Sequence, residues 1–294
     1  MERKVKIKAR AKVNLALNIV GVREGMHLLD SVLVSVDLFD ELEVCFNSRK
    51  DTCVKFYDRF SGEPIPAPEC DTVTRAINYL RGFIPDLGAS VTVAKGIPMG
   101  GGVGGSSADA SAVIFAAKEL YGLSGNVIGG AVSVGSDVPA MVYGGALRLS
   151  GVGENAEKFS CPTLHLVVAN SGAGVSTREA FKEFDRTYPS VNYAPSDIPA
   201  LIASLKSGDI SKAAKYMENA LTLPAIKLCP NISEVLALIS ETGAVARFMT
   251  GSGSCCCGLY ACEASARTAA EYLHRKGISA QYAPSCSEGN SFTE

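Results

Sequence analysis

Residues 95–108 read KGIPMGGGVGGSSA, and five of the six positions 100–105 are glycine. A run of that kind follows backbone paths closed to other residues, and its N–H groups can approach an anion with no Cβ in the way. The run ends at Ser106 and Ser107, where an apolar helical spacing begins. The start of a helix presents unpaired N–H groups and partial positive charge, which suits a phosphate. The two hydroxyls can cap that helix, bind phosphate oxygens or approach a magnesium ion. No Gly-Lys-Ser/Thr follows, so this is not a Walker loop. No acidic residue closes a strand some 20 residues on, so it is not a dinucleotide fingerprint. A flexible glycine loop with no ligand is the alternative reading. Lys95, just ahead of the loop, either neutralises phosphates or is a solvated residue at a strand end.

The elements that must hold this loop can be read from periodicity. Residues 5–19 alternate, with Val5, Ile7, Ala9, Ala11, Val13, Leu15, Leu17 and Ile19 on one side. That predicts a half-buried strand long enough to need a bend or bulge, with Lys12 and Asn14 on one polar face. A turn is expected over 21–27, strand over 31–46 with a break near 37–41, and a hairpin or loop over 49–69. Helix follows over 71–83, with Val73, Ile77 and Leu80 on one face, and a short strand over 89–94. A helix over 106–121, ended by Gly122, buries Ala110, Val113, Ile114, Ala117 and Leu120. Strands are expected at 145–149 and 165–169. From about residue 177 the texture turns helical, over 178–186, 198–205, 210–221 and 232–241. Strands at 246–249 and 255–260, a helix over 263–276 and a strand over 279–282 complete the chain. The change of texture at 160–175 divides it into residues 1–165 and 166–294.

Composition narrows the class. The chain has 294 residues, 47% hydrophobic and 20% charged, as a globular protein with a core requires. A net charge of −2 gives no field that would draw the whole molecule to nucleic acid. No stretch reaches the roughly 18 apolar residues of a membrane span. The basic stretch from Met1 to Lys12 resembles the start of a signal peptide, but Asn14 and Asn18 interrupt the apolar stretch after it, so secretion is not expected. Ten cysteines, three of them consecutive at Cys255, Cys256 and Cys257, form no C-x-x-C pair, and there are three histidines. Free thiols in a reducing cytoplasm, several buried as small apolar residues, are the expectation.

Residues 97–109 (IPMGGGVGGSSAD) resemble the ATP-binding motif of the GHMP kinases, the family of galactokinase and of homoserine, mevalonate and phosphomevalonate kinases. Residues 249–254 (MTGSGS) and 9–15 (ARAKVNL) resemble its C-terminal and N-terminal motifs. Residues 25–27 (GMH), 37–38 (DL), 135–139 (GSDVP), 151–154 (GVGE) and 219–221 (NAL) point to one branch. That branch acts on an alcohol joined to cytidine diphosphate, in non-mevalonate isoprenoid precursor synthesis.

The resemblance implies an α+β fold of two domains, the first like ribosomal protein S5 and the second a ferredoxin-like sandwich, with the active site in the cleft between them. ATP is then the phosphate donor and Mg2+ its companion. Lys95, Pro98, Gly100, Gly101, Gly102, Val103, Gly104, Gly105, Ser106, Ser107 and Ala108 would bind the nucleotide. Lys12 and Asp137 would flank the acceptor hydroxyl. A carboxylate there can take the alcohol proton, and an ammonium can stabilise the charge on the transferred phosphoryl group. On the residues alone, Lys12 could equally be a solvated strand lysine and Asp137 a turn residue before Val-Pro. Asn14, Met26, His27, Phe181, Gly251 and Ser252, with Asp137, would hold the acceptor. Glu154 and Asn219 match family positions without a role that the sequence reveals.

Two features depart from the branch pattern. A tyrosine that stacks on cytosine is replaced by Met26, whose thioether packs less specifically, and the loop is one glycine shorter. A mevalonate-type or sugar kinase therefore stays open as an alternative, as does a non-catalytic nucleotide or metabolite sensor on the same scaffold. The partners expected are a small alcohol and ATP, with no nucleic acid and no membrane, in a monomer or homodimer.

Overall fold

The computed structural model describes residues 3–69 and 71–293; Met1 of the basic N-terminal stretch lies outside them. Two β-hairpin arms begin the chain, β1 (Arg3–Arg23) and β2 (Met26–Asn47), joined by a tight turn at Glu24 and Gly25. β3 (Thr52–Asp58), β4 (Pro64–Ile65), α1 (Thr72–Leu80), β5 (Gly88–Lys95), α2 (Gly105–Tyr121), α3 (Val138–Tyr143), β6 (Ala146–Gly151) and β7 (Asn155–Phe159) follow. The remainder holds β8 (His165–Asn170), α4 (Thr177–Thr187), α5 (Ile198–Lys206), α6 (Ile210–Ala213), α7 (Thr222–Leu228), α8 (Asn231–Glu241), β9 (Ala246–Met249), β10 (Cys256–Tyr260), α9 (Glu263–Arg275), β11 (Ser279–Tyr282), β12 (Ser285–Cys286) and β13 (Ser291–Thr293).

β1 has the length its alternation predicts, and its pairing with β2 shifts register at Arg10/Lys12, Asn14/Ala16 and Ile19/Gly21. These bulges bend the strand and re-aim its side chains. The first shift also accounts for the break expected near 37–41: Arg10 faces Phe39, whereas Lys12 faces Ser35. The expectation of a half-buried strand fails in the middle of β1, where every residue from Ala11 to Ile19 is buried. Its second face is not solvated, so Lys12 and Asn14 are buried polar residues that need partners.

One edge of β2 pairs with β1, and the other with β6, β12 and β5 in turn. β3 runs parallel to β5, and β13 returns to pair with β1. The last strands thus lie in the large sheet, although the chain between β8 and β11 builds a separate four-stranded sheet in the order β11-β8-β10-β9. The helix expected over 210–221 stops early: α6 is short, and the chain leaves it to run beside β1, where Leu17 and Asn219 form a bridge.

The four-stranded sheet is apolar on both faces. Leu166, Val168, Cys255, Cys257 and Leu259 join the core beneath the large sheet, while Val167, Ala169, Cys256 and Tyr260 join a second core under α4, α7, α8 and α9. This is the period of two of a strand, and it explains the consecutive cysteines as small apolar residues filling both cores. Burial pushes the Cys255 thiol up to about 12 and moves Cys256 and Cys257 upward as well, so these thiols are inert. The nine described cysteines are free. Cys257→Ser is expected to cost about 1–3 kcal/mol of stability, as a hydroxyl replaces a thiol in an apolar core, while the exposed Cys262→Ser variant stays within about 0.5 kcal/mol of the parent. Urea unfolding of both variants checks this, and equal midpoints would contradict the packing role.

Candidate active site

β5 delivers the chain to the glycine-rich loop, and α2 leaves it. Gly104 takes the N-cap of α2 at φ 77° and offers no side-chain cap. The expected serine cap is therefore not formed: Ser106 and Ser107 lie inside the first turn, Ser106 exposed and Ser107 half-buried. The physical consequence favours an anion, because no side chain occupies the N–H groups at the helix start. α2 is also buried nearly all round, from Ala108 through Ala117, rather than on one face. Its small side chains let β1, β2, α1 and α3 approach it closely.

The loop is gripped from behind. Lys12 N–H donates to the Val103 carbonyl at 3.1 Å, and Cys255 N–H to the Gly101 carbonyl at 2.9 Å. A Cβ on Gly102, whose φ is 75°, would lie 2.6 Å from the Thr250 carbonyl oxygen, so this position admits only glycine. The turn 250–254 touches the loop backbone to backbone.

Lys12 and Asp137 meet beside this loop, with Nζ to Oδ2 at 3.5 Å. The Lys12 side chain is 6% exposed and that of Asp137 is 37% exposed, so a fixed ammonium faces an accessible carboxylate. Asp137 is the N-cap of α3, yet its side chain makes no capping bond and stays available to the cleft. Lys12 Nζ also donates to Asn14 Oδ1 at 2.5 Å, Asn14 Nδ2 to Ser31 Oγ at 2.9 Å, and Ser31 Oγ to the Ala16 carbonyl at 2.6 Å. The Asn14 backbone N–H donates to Thr250 Oγ1 at 2.9 Å. This chain of bonds satisfies the polar groups that β1 buries and fixes the ammonium.

Lys95 is neither solvated nor free to reach out. It is buried between Asp40, with which it forms a short contact, and Asp109 Oδ2 at 2.7 Å. Asp40 Oδ1 also accepts from Gly96 N–H at 2.6 Å and Ile97 N–H at 2.8 Å, so it anchors the entry to the loop. Burial works against the Lys95 ammonium, but the two carboxylates outweigh it and raise its pKa. Asp109 is raised well above the usual carboxylate range, chiefly by burial and further by Asp40. Its Oδ1 has no partner.

These groups line one cleft of about 620 Å³. Lys12, Asn14, Lys95, Pro98, Gly100, Gly101, Gly102, Val103, Gly104, Gly105, Ser106, Ser107, Asp137, Phe181, Gly251 and Ser252 all reach it. Ala108 is buried within α2 behind the loop.

Family models match both halves of the chain: "GHMP kinases N terminal domain" over residues 71–145 and "GHMP kinases C terminal" over residues 201–279. This chain belongs to the GHMP kinase family. It is 35% identical to the 4-diphosphocytidyl-2-C-methyl-D-erythritol kinase of Pelotomaculum thermopropionicum, over 91% of this chain and 93% of that one. A crystal structure of 4-(cytidine 5'-diphospho)-2C-methyl-D-erythritol kinase superposes with TM-score 0.75 at 29% identity, covering 97% of this chain and 100% of that one. The homoserine kinase of Cytophaga hutchinsonii, at 19% identity, shares the fold with TM-score 0.73 over 99% of this chain and 97% of that one.

Within this GHMP kinase, Met26 and His27 stand outside the residues that line the cleft. Met26 is 49% exposed beside the β1–β2 turn. His27 stacks on Phe181, ring centroids 4.8 Å apart, and its Nε2 lies 2.7 Å from Asp185 Oδ1. Ser252 Oγ pairs with Thr177 Oγ1 at 2.9 Å across the cleft mouth. Glu154 accepts from Val152 N–H at 2.5 Å and pairs with Arg23 at 3.2 Å, so its role is to tie the start of β7 to the tip of β1. Sequence reading gave Asn219 no role and missed Asp40 and Asp109. An aspartate at position 109, three residues into an apolar helical pattern, was a signal for the last of these.

The Asp109 carboxyl sets a pH dependence. Its folded pKa is raised, so above the ordinary aspartate value the unfolded chain ionises first and the folded state loses stability as pH rises toward the raised value. Asp109→Asn keeps the shape of the neutral acid and cannot ionise. The variant should therefore gain on the parent as pH climbs from the ordinary aspartate range, measured by urea midpoints over a pH series. Parallel curves would rule this out.

Proposed function

We propose that this chain transfers the γ-phosphoryl group of ATP to the 2-hydroxyl of 4-diphosphocytidyl-2-C-methyl-D-erythritol. The observation that carries the reading is the contact of 3.5 Å between Lys12 and Asp137 beside the open start of α2. The triphosphate lies against the loop amides, and the α2 N-terminus receives its charge. The acceptor alcohol sits at Asp137. Its oxygen forms the new P–O bond, its proton passes to the carboxylate, and the bond to the ADP oxygen breaks. Lys12 faces the equatorial oxygens as charge builds on them. Asn14 on β1, itself tied to Ser31 on β2, holds it there, so little reorganisation accompanies the step.

The walls supply two sets of apolar side chains. Phe56, Ile65 and Pro66 line the cleft from the β3–β4 side and suit the adenine of the donor. Leu29, Val175, Phe181 and Leu221 also line it and suit the acceptor, with His27 stacked on Phe181. Lys95 acts from beneath the loop, through Asp40 and Asp109. Mg2+ enters with the nucleotide. Among the described residues no group of three or more His, Cys, Asp or Glu side chains is placed to hold a metal, so the phosphates and the Ser106 or Ser107 hydroxyl are the donors that fit it. When bound, it neutralises charge on the β- and γ-phosphates.

Met26 supports a second acceptor within the same chemistry, since no ring at that position stacks on a base. A cytoplasmic monomer or homodimer fits the free thiols and a cleft built from one chain. Among the described residues no helix is long and apolar enough to cross a membrane.

ADP release measured with the cytidyl alcohol, mevalonate, phosphomevalonate, homoserine and galactose tests the acceptor. Turnover with the cytidyl compound alone is expected, and turnover only with another alcohol would replace it. ATP binding without any turnover would identify a sensor. Asp137→Asn should lower kcat by roughly 100-fold or more with ATP affinity little changed, and a kcat like the parent's would remove the carboxylate from the proton transfer.

A further inference from the structure

Asn219 lies where the expected helix over 210–221 breaks, between α6 and α7, and it is buried at 8% exposure. Its Nδ2 donates to the Met249 carbonyl at 2.9 Å and to the Gly251 carbonyl at 2.8 Å. Its Oδ1 accepts from Leu221 N–H at 2.9 Å. One amide hydrogen thus holds the end of β9 and the other the turn 250–254, one on each side of Thr250. The flanking backbone clasps β1: Leu17 N–H donates to the Glu218 carbonyl and Ala220 N–H to the Leu17 carbonyl, each at 2.9 Å. One side chain therefore joins the turn to the strand that carries Lys12 and Asn14.

We propose that Asn219 is a positioning residue for the donor nucleotide, acting through the turn 250–254 on the phosphate loop. The turn transmits position because it has no slack. A Cβ on Gly251 would fall 2.2 Å from the Gly102 carbonyl oxygen, as one on Gly102 would fall 2.6 Å from that of Thr250. Two backbones that leave no room for a Cβ between them cannot shift independently. Thr250 adds a second tie, since its hydroxyl accepts the Asn14 N–H. Remove the Asn219 amide, and two buried carbonyls lose their donor. The turn then relaxes away from β1, and the loop amides lose the backing that sets their spacing. A residue that merely filled space would have no need of two hydrogens on the carbonyls that flank Thr250.

This inference rests on the reading of the loop as the ATP site, and it is tested by ATP binding, which needs no acceptor. Titration calorimetry with MgATP on Asn219→Ala and Asn219→Asp should show affinity reduced by about tenfold or more at neutral pH, in line with two lost hydrogen bonds. The new carboxyl group of N219D can return one donor once it is protonated, so that variant should regain affinity relative to the parent as pH is lowered, while N219A should not. Leu273→Ala, a cavity in the second core on α9, serves as a variant destabilised without touching the turn; its ATP affinity should match the parent's. Should N219A fail to fold, the pH response of N219D and the melting temperature of each variant still decide the matter. ATP affinity within twofold of the parent in N219D, or a pH response no different from the parent's, would overturn the assignment. If the parent itself binds no ATP, the reading of the loop fails instead, and the two failures are told apart.

Discussion

A loop that is to receive an anion on its amides cannot satisfy those amides itself, so it has to be held from behind. That constraint organises this molecule. The start of α2 leaves its N–H groups free because Gly104, and not a serine, occupies the cap. The grip comes through carbonyls instead, from Lys12 N–H on one side and Cys255 N–H on the other. Lys12 belongs to the large sheet, and Cys255 lies immediately ahead of β10 in the small one. The loop can keep its shape only where the large and small sheets are fixed to one another, and the core that runs continuously from Ile7 to Ala283 supplies that fixity.

Charge follows from the same arrangement. A triphosphate site needs positive charge, yet an ammonium that moves freely makes a poor partner for a transition state. The fold separates two tasks between two lysines. Lys12, tied to Asn14, faces the cleft and the Asp137 carboxylate. Lys95 faces inward, enclosed by Asp40 and Asp109, and its partner Asp40 pins the N–H groups of Gly96 and Ile97. A buried ammonium with two carboxylates is a weak source of stability. Here it places the end of β5, and so fixes where the loop begins.

Much of this was legible in residue order. The alternation of residues 5–19 foretold β1 and its bends, Gly122 foretold the end of α2, and the glycine run foretold a loop leading into a helix. The features that escaped were non-local. Lys95 looks solvated in a linear reading because its partners lie 55 and 14 residues away. The segment 210–221 keeps an apolar spacing fit for a helix, but β1 offers backbone pairing at Leu17 that competes for it. β7, β12 and β13 are short and partly exposed, and their existence depends on edges that β6, β2 and β1 provide. The consecutive cysteines speak against disulfides in the sequence alone, but their physical reason, a strand buried on both faces, needs the second core to be seen.

The acceptor side is built on a different principle from the donor side. On the proposed reading the donor meets backbone amides of the glycine loop and the start of α2. On that reading the acceptor meets side chains that line the cleft from both halves: Leu29 on β2, Phe181 on α4, and Leu221 just ahead of α7. Phe181 is already stacked on His27, and Asp185 holds that imidazole from the solvent side. With Met26 turned outward, the aromatic surface for a base reduces to this one pair. A cytosine would therefore have to slide against Phe181 or displace His27 from it, whereas the phosphate loop needs no such adjustment for ATP. On the proposed reading, choice of acceptor falls to side chains such as Phe181 on α4 and His27 near the β1–β2 turn, while the transfer falls to the Lys12–Asp137 pair, which stands beside a loop whose backbone is held from behind.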